Sequence, residues 1–475
     1  MKNQSVPIVG GYYADESRSW SSQDCLNWLP TQAEKAGTRT PAMLKTPPGL
    51  RELVLTSSDP SGHPIKDVPV RGVYNCEGIL FAVIGTDLFS ISPIGTATWI
   101  GTVPGVSRVI MSDNQIAGGG NQLIIVTGQS GYVYNTNTKA FARITDAGYP
   151  GAINVVFNAG YLVQIDPTRR FAFNSAPADA LSYNTLDRFT SEVAPDLLVS
   201  MAVNNNELIL FSARSTEFFG ATANAQQPFR TKGITMSRGC GGRYTVANMD
   251  NTVYWLGDDG IFYVLAGYTP LRVSTRPIEQ AIKGLNWDQA YAFTWENGGH
   301  KVCYWTFPDG RTWGYDVSSG EWHRRASYGL DTWRVASLTY WTGQWIAGDI
   351  QHGKLWIVDW DYHQEGDQDF ISERTTGVLS MSQNRIIVSR VELLMAVGQL
   401  ADDDDHYVRL QYSDDGGYNW SNWAQEDIGA TGEYGKRMVF TRQGSTRNRT
   451  YRISCSSPRM RDLLGGAVVL QGTTG

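Results

Sequence analysis

Between about residues 71 and 362 the apolar positions fall in short runs divided by polar or glycine-rich turns, without the 3.6-residue drift of a helix face. The runs ILFAVIG, LIIVTG, YLVQID, LILFSA, TVYWLG, KVCYWTF and QWIAGD each read as a buried strand. With Leu80, Leu123, Leu162, Leu208, Val253, Val302 and Trp345 as markers, the successive spacings are 43, 39, 46, 45, 49 and 43 residues. A repeat of about 40 to 50 residues made of short strands marks propeller blades, because one small twisted sheet cannot cover its own faces without neighbours. Six or seven blades are predicted.

Most markers follow another β-rich piece and precede a turn and a further strand, as in GILFAVIGTDLFSI and NTVYWLGDDGIFYVL. Two repeats place an aromatic seven residues after a tyrosine across a polar turn, Tyr134 to Phe141 and Tyr315 to Trp322. That pattern resembles the kelch-type blade ending, in which the aromatics pack on a neighbouring blade while Asn, Ser, Thr and Gly make the hairpin. The first 70 residues do not repeat; they are rich in Pro, Ser and Thr, with CLNWLP (Cys25 to Pro30) and LKTPPGL (Leu44 to Leu50) as ordered landmarks. After DYHQEGDQD (Asp361 to Asp369) the period is lost and alternating strands such as RIIVSRVELLMAV begin. The expected fold is therefore all-β: an extended N-terminal arm over 1–70, a six- or seven-bladed β-propeller over 71–362, and a separate C-terminal β-sandwich over 363–475.

Composition agrees. Glycine at 50 residues, Trp at 16, Tyr at 23 and 18% charged residues describe turn-rich antiparallel sheet rather than helical bundles. Cys25, Cys76, Cys240, Cys303 and Cys455 are odd in number and far apart, which argues for buried thiols in a reducing compartment rather than a disulfide framework or zinc site. Met1 to Ser5 leads into Pro and Gly rather than a basic patch and apolar run, so no signal peptide is expected. No window reaches the roughly 18 apolar residues of a membrane-spanning helix.

Catalytic constellations are sought without success: no GxxxxGK[ST] loop, HExxH, GxSxG elbow or metal-spaced Cys/His cluster occurs. His63, His300, His323, His352, His363 and His406 are scattered and read as structural. RGCGGR (Arg238 to Arg243) has no βαβ context, so it reads as a turn rather than a phosphate cradle. The run Asp402 to Asp405 could offer carboxylates to a hard cation, but it lacks spaced ligands and an internal Gly, and an exposed turn is favoured. No catalytic, cofactor-binding or metal residue is assigned, and no cofactor is expected.

One motif suggests sugar chemistry. In YSDDGGYNW, residues Ser413, Asp415, Gly417 and Trp420 resemble the Asp-box of sialidases and other sugar-handling propellers. In those families the motif is a hairpin device: Asp bonds backbone N–H groups, Gly supplies unusual backbone angles and Trp packs beneath. A single copy outside the repeating region, without an arginine cluster or Tyr/Glu nucleophile, reads as a structural turn. A host-glycan adhesin or glycosidase of propeller type stays as the alternative reading.

Several stretches together resemble one family, the tail hub or packaged-DNA stabilisation proteins of short-tailed double-stranded DNA bacteriophages. They are CLNWLP, LKTPPGL, STEFFGATANAQQPF (Ser215 to Phe229), Gly239 to Ile282, Gly299 to Arg325, and the end from YSDDGGYNWSNW through RNRTYRISCSSP and LLGGA. The resemblance runs in order from about residue 20 to 470. It implies a non-enzymatic virion protein of the tail, made in the host bacterial cytoplasm, that forms a homo-hexamer below the portal and its adaptor (head-to-tail connector) ring. It further implies retention of packaged DNA, a conduit for genome ejection, and support for a tail needle, fibres or spikes. The net charge of -6 suits a conduit, since a lumen lined with Arg and Lys would hold passing DNA by its phosphates. Eight basic residues nevertheless gather between Lys436 and Arg461 with no Asp or Glu among them. Of these, Lys436, Arg437, Arg442, Arg447, Arg449 and Arg452 are expected to make subunit or partner contacts.

Overall fold

The computed structural model describes residues 2–4, 8–114, 120–191, 196–222, 224, 227–381, 384–398 and 407–472. Among them the repeating region forms seven sheets. Six are built from consecutive strands, over 70–102, 110–143, 154–189, 198–236, 247–272 and 291–325. The seventh has three strands of its own, Val335–Trp341, Gln344–Asp349 and Leu355–Asp359. Its fourth comes from the arm: Gly49–Leu53 pairs antiparallel with Leu355–Asp359, Leu53 opposite Leu355. Closing the last blade with a strand from the other end of the chain ties the ring shut.

Local chemistry sets the hairpins. Between Tyr291–Asn297 and His300–Thr306, Gly298 and Gly299 both take positive φ, +61° and +86°, as a two-residue turn of the type I′ kind requires. The kelch-like pairs stand opposite each other in register, Tyr134 with Phe141 and Tyr315 with Trp322. One ring of each also reaches the preceding blade: Tyr134 lies 5.6 Å from Phe81, and Trp322 lies 5.2 Å from Phe262. Buried apolar side chains accordingly gather in one cluster for each pair of neighbouring blades. The cluster between the last and first blades holds Val70, Leu80, Trp341 and Ile346, and there Trp341 Nε1 donates to Gly78 O at 2.8 Å.

The C-terminal region is a two-sheet sandwich. One sheet runs in the order Leu29–Gln32, Ala42–Lys45, Leu463–Gly472, Ile386–Met395, Met438–Thr441. In Ile386–Met395 the inward residues are Ile386 and Val388, then Val391, Leu393 and Met395; a register shift between Val388 and Arg390 resets the two-residue alternation. The facing sheet carries Ser22–Leu26, Ser372–Thr375, Asn448–Cys455, Tyr407–Ser413 and Ala424–Asp427.

The sandwich is joined to the propeller more closely than its expected separateness implies. Ser22–Leu26 pairs antiparallel with Ser372–Thr375 on one side and parallel with Glu321–Arg325 of the sixth blade on the other. One continuous sheet therefore crosses from blade to sandwich, with an arm strand as its seam. Among the described residues the one α-helix, Arg276–Ala281, lies between the fifth and sixth blades, and no helix is long and apolar enough to cross a membrane.

Candidate functional site

A set of buried polar contacts lies along this seam. Asp24 and Arg324 form a two-point ion pair there, with Nε 2.8 Å from Oδ1 and Nη2 on Oδ2. Burial pushes the Asp24 carboxyl up, but the Arg324 guanidinium overrides it and leaves the pKa below the usual range. Three residues along, Asn27 has φ +51° and uses its amide on both sides: Nδ2 donates to Ala326 O at 2.9 Å and Ile371 O at 2.8 Å, and Oδ1 accepts from Ala326 N at 3.0 Å. Asparagine tolerates this left-handed backbone better than most residues.

Arg374 is fully buried and holds the start of the arm: it donates to Ile8 O (2.8 Å), Gly11 O (2.7 Å), Asp24 O (3.1 Å) and Gln23 Oε1 (2.7 Å). Arg461, also fully buried, donates to Ser372 Oγ at 2.8 Å and Ser457 O at 2.6 Å, while its own carbonyl accepts from Trp28 Nε1 at 3.1 Å. The ring of Phe370 lies between two guanidiniums, 5.4 Å from Arg325 and 4.4 Å from Arg461. Burial, with repulsion from Arg325 adding to it, brings Arg461 down to about 10.

Beside the seam opens a cleft of about 860 Å³, lined by Arg18, Asp24, Arg311, Arg324, Trp420 and Arg452 among others. The Asp-box forms one wall. Ser413 Oγ donates to Asp415 Oδ1 at 2.6 Å and accepts from Gly417 N at 2.8 Å; Asp415 Oδ1 also accepts from Asn419 N at 2.9 Å and Tyr418 N at 3.0 Å. Gly417 has φ +92°, and Trp420 Nε1 donates to its carbonyl at 3.1 Å. The Asn419 N–H first, then Ser413, hold the Asp415 carboxyl far below the usual range. A carboxylate with its oxygens so engaged is a turn holder and a poor proton donor. The motif has a further role that sequence reasoning missed: the arm clasps it, with Arg18 Nη1 3.4 Å from Gly417 O and its guanidinium 5.2 Å over Tyr418.

The basic stretch is largely neutralised from outside itself. Lys436 reaches Asp427 at 2.9 Å, Arg437 reaches Glu392 at 2.9 Å, and Arg452 lies 3.2 Å from Glu373 and 3.9 Å over Trp420. Arg449 corrects the sequence reading. Only 2% exposed, it binds Asp414 through Nε (2.6 Å) and Nη2 (2.7 Å) and stacks 3.8 Å over Tyr412, so it is an interior anchor rather than a contact for another subunit. Arg461, at the end of the basic stretch, is likewise interior. Arg442 and Arg447 are exposed, and no described acid pairs with either. The run Asp402 to Asp405 and His406 lie outside the described residues.

Other candidate chemistry is structural in its geometry. The thiols are buried, with Cys25 pushed up to about 12 and Cys240 to about 11 by burial. His300 Nδ1 lies 2.6 Å from Asp316 Oδ2, and its Nε2 faces Thr31 Oγ1 at 3.4 Å, but that hydroxyl donates to Leu29 O at 3.1 Å. Asp316 also caps the adjoining turn through Ser318 N at 2.9 Å.

Both domains have a counterpart among known families. A family model described as Bacteriophage P22 Gp10, beta-propeller, matches residues 4–363, and a second, Bacteriophage P22 Gp10, beta-sandwich, matches residues 372–469. The chain belongs to the bacteriophage P22 Gp10 family. It is thus a bacteriophage tail protein, a structural component of the virion, built from a propeller and a sandwich. The Gp10 propeller match begins inside the arm, which is where the strand that closes the seventh blade originates. A search of curated proteins finds no match. Solved structures with some likeness include virginiamycin B lyase from Staphylococcus aureus (8% identity, TM-score 0.44, 65% of this chain and 98% of that one). The WD40 β-propeller domain of Doa1 (13%, 0.41, 62% and 93%) and the computationally designed Ika8 protein (12%, 0.38, 71% and 100%) are similar at the same level. Likeness this distant bears on neither function nor partner.

Proposed function

We propose that the chain is the tail hub, or nozzle, subunit of a short-tailed phage. In this reading six copies form a tube below the portal and its adaptor ring, retain the packaged double-stranded DNA, conduct it at ejection without reading its sequence, and give footing to a tail needle, fibres or spikes. The observation that carries the proposal is the family match through both domains of a chain whose arm stitches those domains together. A tube wall under the pressure of a packaged genome needs subunits that do not flex between domains, and a seam of buried guanidinium hydrogen bonds supports such stiffness. The net charge of -6 supports a conduit over a DNA-binding role.

Contacts with neighbouring subunits or the adaptor fall to Arg442 and Arg447, with Lys436, Arg437 and Arg452 beside them. The test is the mass of the assembled species by native mass spectrometry or light scattering, with and without the adaptor ring. Six copies are expected on the adaptor, and a chain that stays monomeric with it overturns the proposal. Arg442→Glu with Arg447→Glu leaves the thermal transition in place and impairs assembly. Normal assembly with leakage of packaged DNA would reassign these arginines to DNA.

A further inference from the structure

The propeller channel holds an unassigned cationic cluster. The innermost strands of the blades enclose a cavity of about 560 Å³, and the residues lining it include Arg243, Tyr244, Tyr291 and Arg108, which stand at or just before the starts of inner strands and so at one mouth of it. Arg243 lies 5.5 Å from the ring of Tyr244, and Arg108 lies 3.8 Å over the ring of Tyr291. Tyr244 and Tyr291 are joined by a β-bridge, with Ala292 N donating to Tyr244 O at 2.8 Å. Arg108 precedes the second blade, yet it contacts Tyr291 of the sixth and donates through Nη2 to Ala336 O of the seventh. Its side chain therefore crosses the mouth rather than lying along one wall.

The charge there is uncompensated. None of the described residues lining the cavity is a carboxylate. Asp113 and Asp349, on strands of the second and seventh blades, are committed elsewhere: Asp113 accepts from Tyr74 Oη at 2.8 Å, and Asp349 is paired with Arg334 at 2.8 Å. Arg71, by contrast, donates to the carbonyls of Ser107 (2.6 Å), Gly85 (3.0 Å) and Val103 (2.7 Å) and is a framework residue. Among the described residues no group accepts from Arg108 Nε or Nη1, and Arg243 makes no side-chain hydrogen bond or ion pair. Burial draws Arg108 down, and only Tyr291 and Tyr244 oppose it. The neighbouring backbone is anchored, since Asn154 Nδ2 donates to Ser200 Oγ (3.1 Å) and Ser200 Oγ to Arg243 O (2.9 Å).

We propose that this mouth of the propeller channel is a binding site for a small oxyanion, phosphate or carboxylate, held between Arg108 and Arg243 beside Tyr244 and Tyr291. The guanidinium forks match the paired oxygens of either anion, and unused charged donors at a half-buried site favour capture. The cavity is far too small for a DNA duplex, so the ligand is a free anion or a single acidic group. This site differs from a glycine-rich phosphate cradle: in RGCGGR the second glycine of the pair, Gly242, is demanded by backbone crowding, since a Cβ there would stand 2.2 Å from Trp287 O.

The test is calorimetric titration of the full chain with sodium phosphate and with sodium succinate at constant ionic strength. Saturable heat with phosphate alone assigns the site to phosphate, with succinate alone to carboxylates, and with both to oxyanions at large. Arg108→Gln and Arg243→Gln should each weaken binding about ten-fold or more, as loss of a charged hydrogen-bond donor does, while exposed Arg447→Gln leaves it unchanged. Should Arg108→Gln fail to fold by circular dichroism, Arg243→Gln decides. No saturable heat with either anion, or unchanged affinity in folded Arg243→Gln, overturns the proposal.

Discussion

The propeller and the seam hold together by opposite means. Between blades the contacts are aliphatic and aromatic, such as Leu123, Ile125 and Tyr134 against Phe81 and Val83, and a comparable cluster recurs at every blade boundary. At the seam the contacts occur once and are polar: Asn27, Arg374, Arg461 and the Asp24–Arg324 pair, held by directed bonds to backbone carbonyls and to particular side chains. Apolar burial is non-directional and tolerates a change of shape at constant volume. A buried guanidinium tolerates no such change, because its partners are left without donors when it goes. The repeated part of the molecule is thus robust by redundancy, and the junction is stiff but brittle.

The contrast is most exposed by Arg374→Met. Loss of the donor to Ile8, Gly11 and Asp24 carbonyls should cost about 3 kcal/mol or more, at roughly 1 kcal/mol or more for each buried carbonyl left unpaired, and split urea unfolding into separate propeller and sandwich transitions; one transition at the wild-type midpoint would show that the seam carries no such weight.

Acid is expected to act next most strongly. Burial, the main cause, lowers His323 to about 3, and burial with Arg461 lowers His363 to about 4. Both stay neutral in the folded chain while the unfolded chain protonates near pH 6.5, so the stability they contribute is complete above that pH and declines as pH falls toward the folded values. Between pH 6.5 and 5 the loss at fully buried His323 is about 2 kcal/mol, and His323→Gln should flatten the slope of stability against pH in that window.

Leu123→Met, a volume-conserving swap in a blade cluster, should cost less than about 1.5 kcal/mol and leave a single transition, as judged by the same urea titration. The smallest change is expected from Asp415→Ala. It should lower the midpoint of a thermal melt slightly by releasing the Tyr418 and Asn419 N–H groups, and leave the transition single.

Legibility in the sequence follows the same division. The blades were readable because each buries its own short apolar run, so the pattern repeats wherever a blade does. The Asp-box was readable because its bonds span four residues or fewer. The role of CLNWLP was not: it stood out as a landmark, but nothing local in it says that Asn27 bonds Ala326 and Ile371, or that its neighbour Asp24 binds Arg324. The basic stretch misled because Arg449 sits at the start of its strand, where Arg449, Thr450 and Tyr451 are all buried before the inward–outward alternation sets in.

Taken alone, the sequence determined the all-β class, the blade period and the turn chemistry of YSDDGGYNW. These depend on side-chain periodicity and on interactions between near neighbours, which the linear order records. Tertiary structure alone decided that there are seven blades with the last closed by Gly49–Leu53, that the sandwich shares a sheet with the sixth blade, and that Arg108 meets Tyr291 across the channel. Each of these joins residues far apart in the chain, by hydrogen bonds or ring contacts whose partners no local pattern can name.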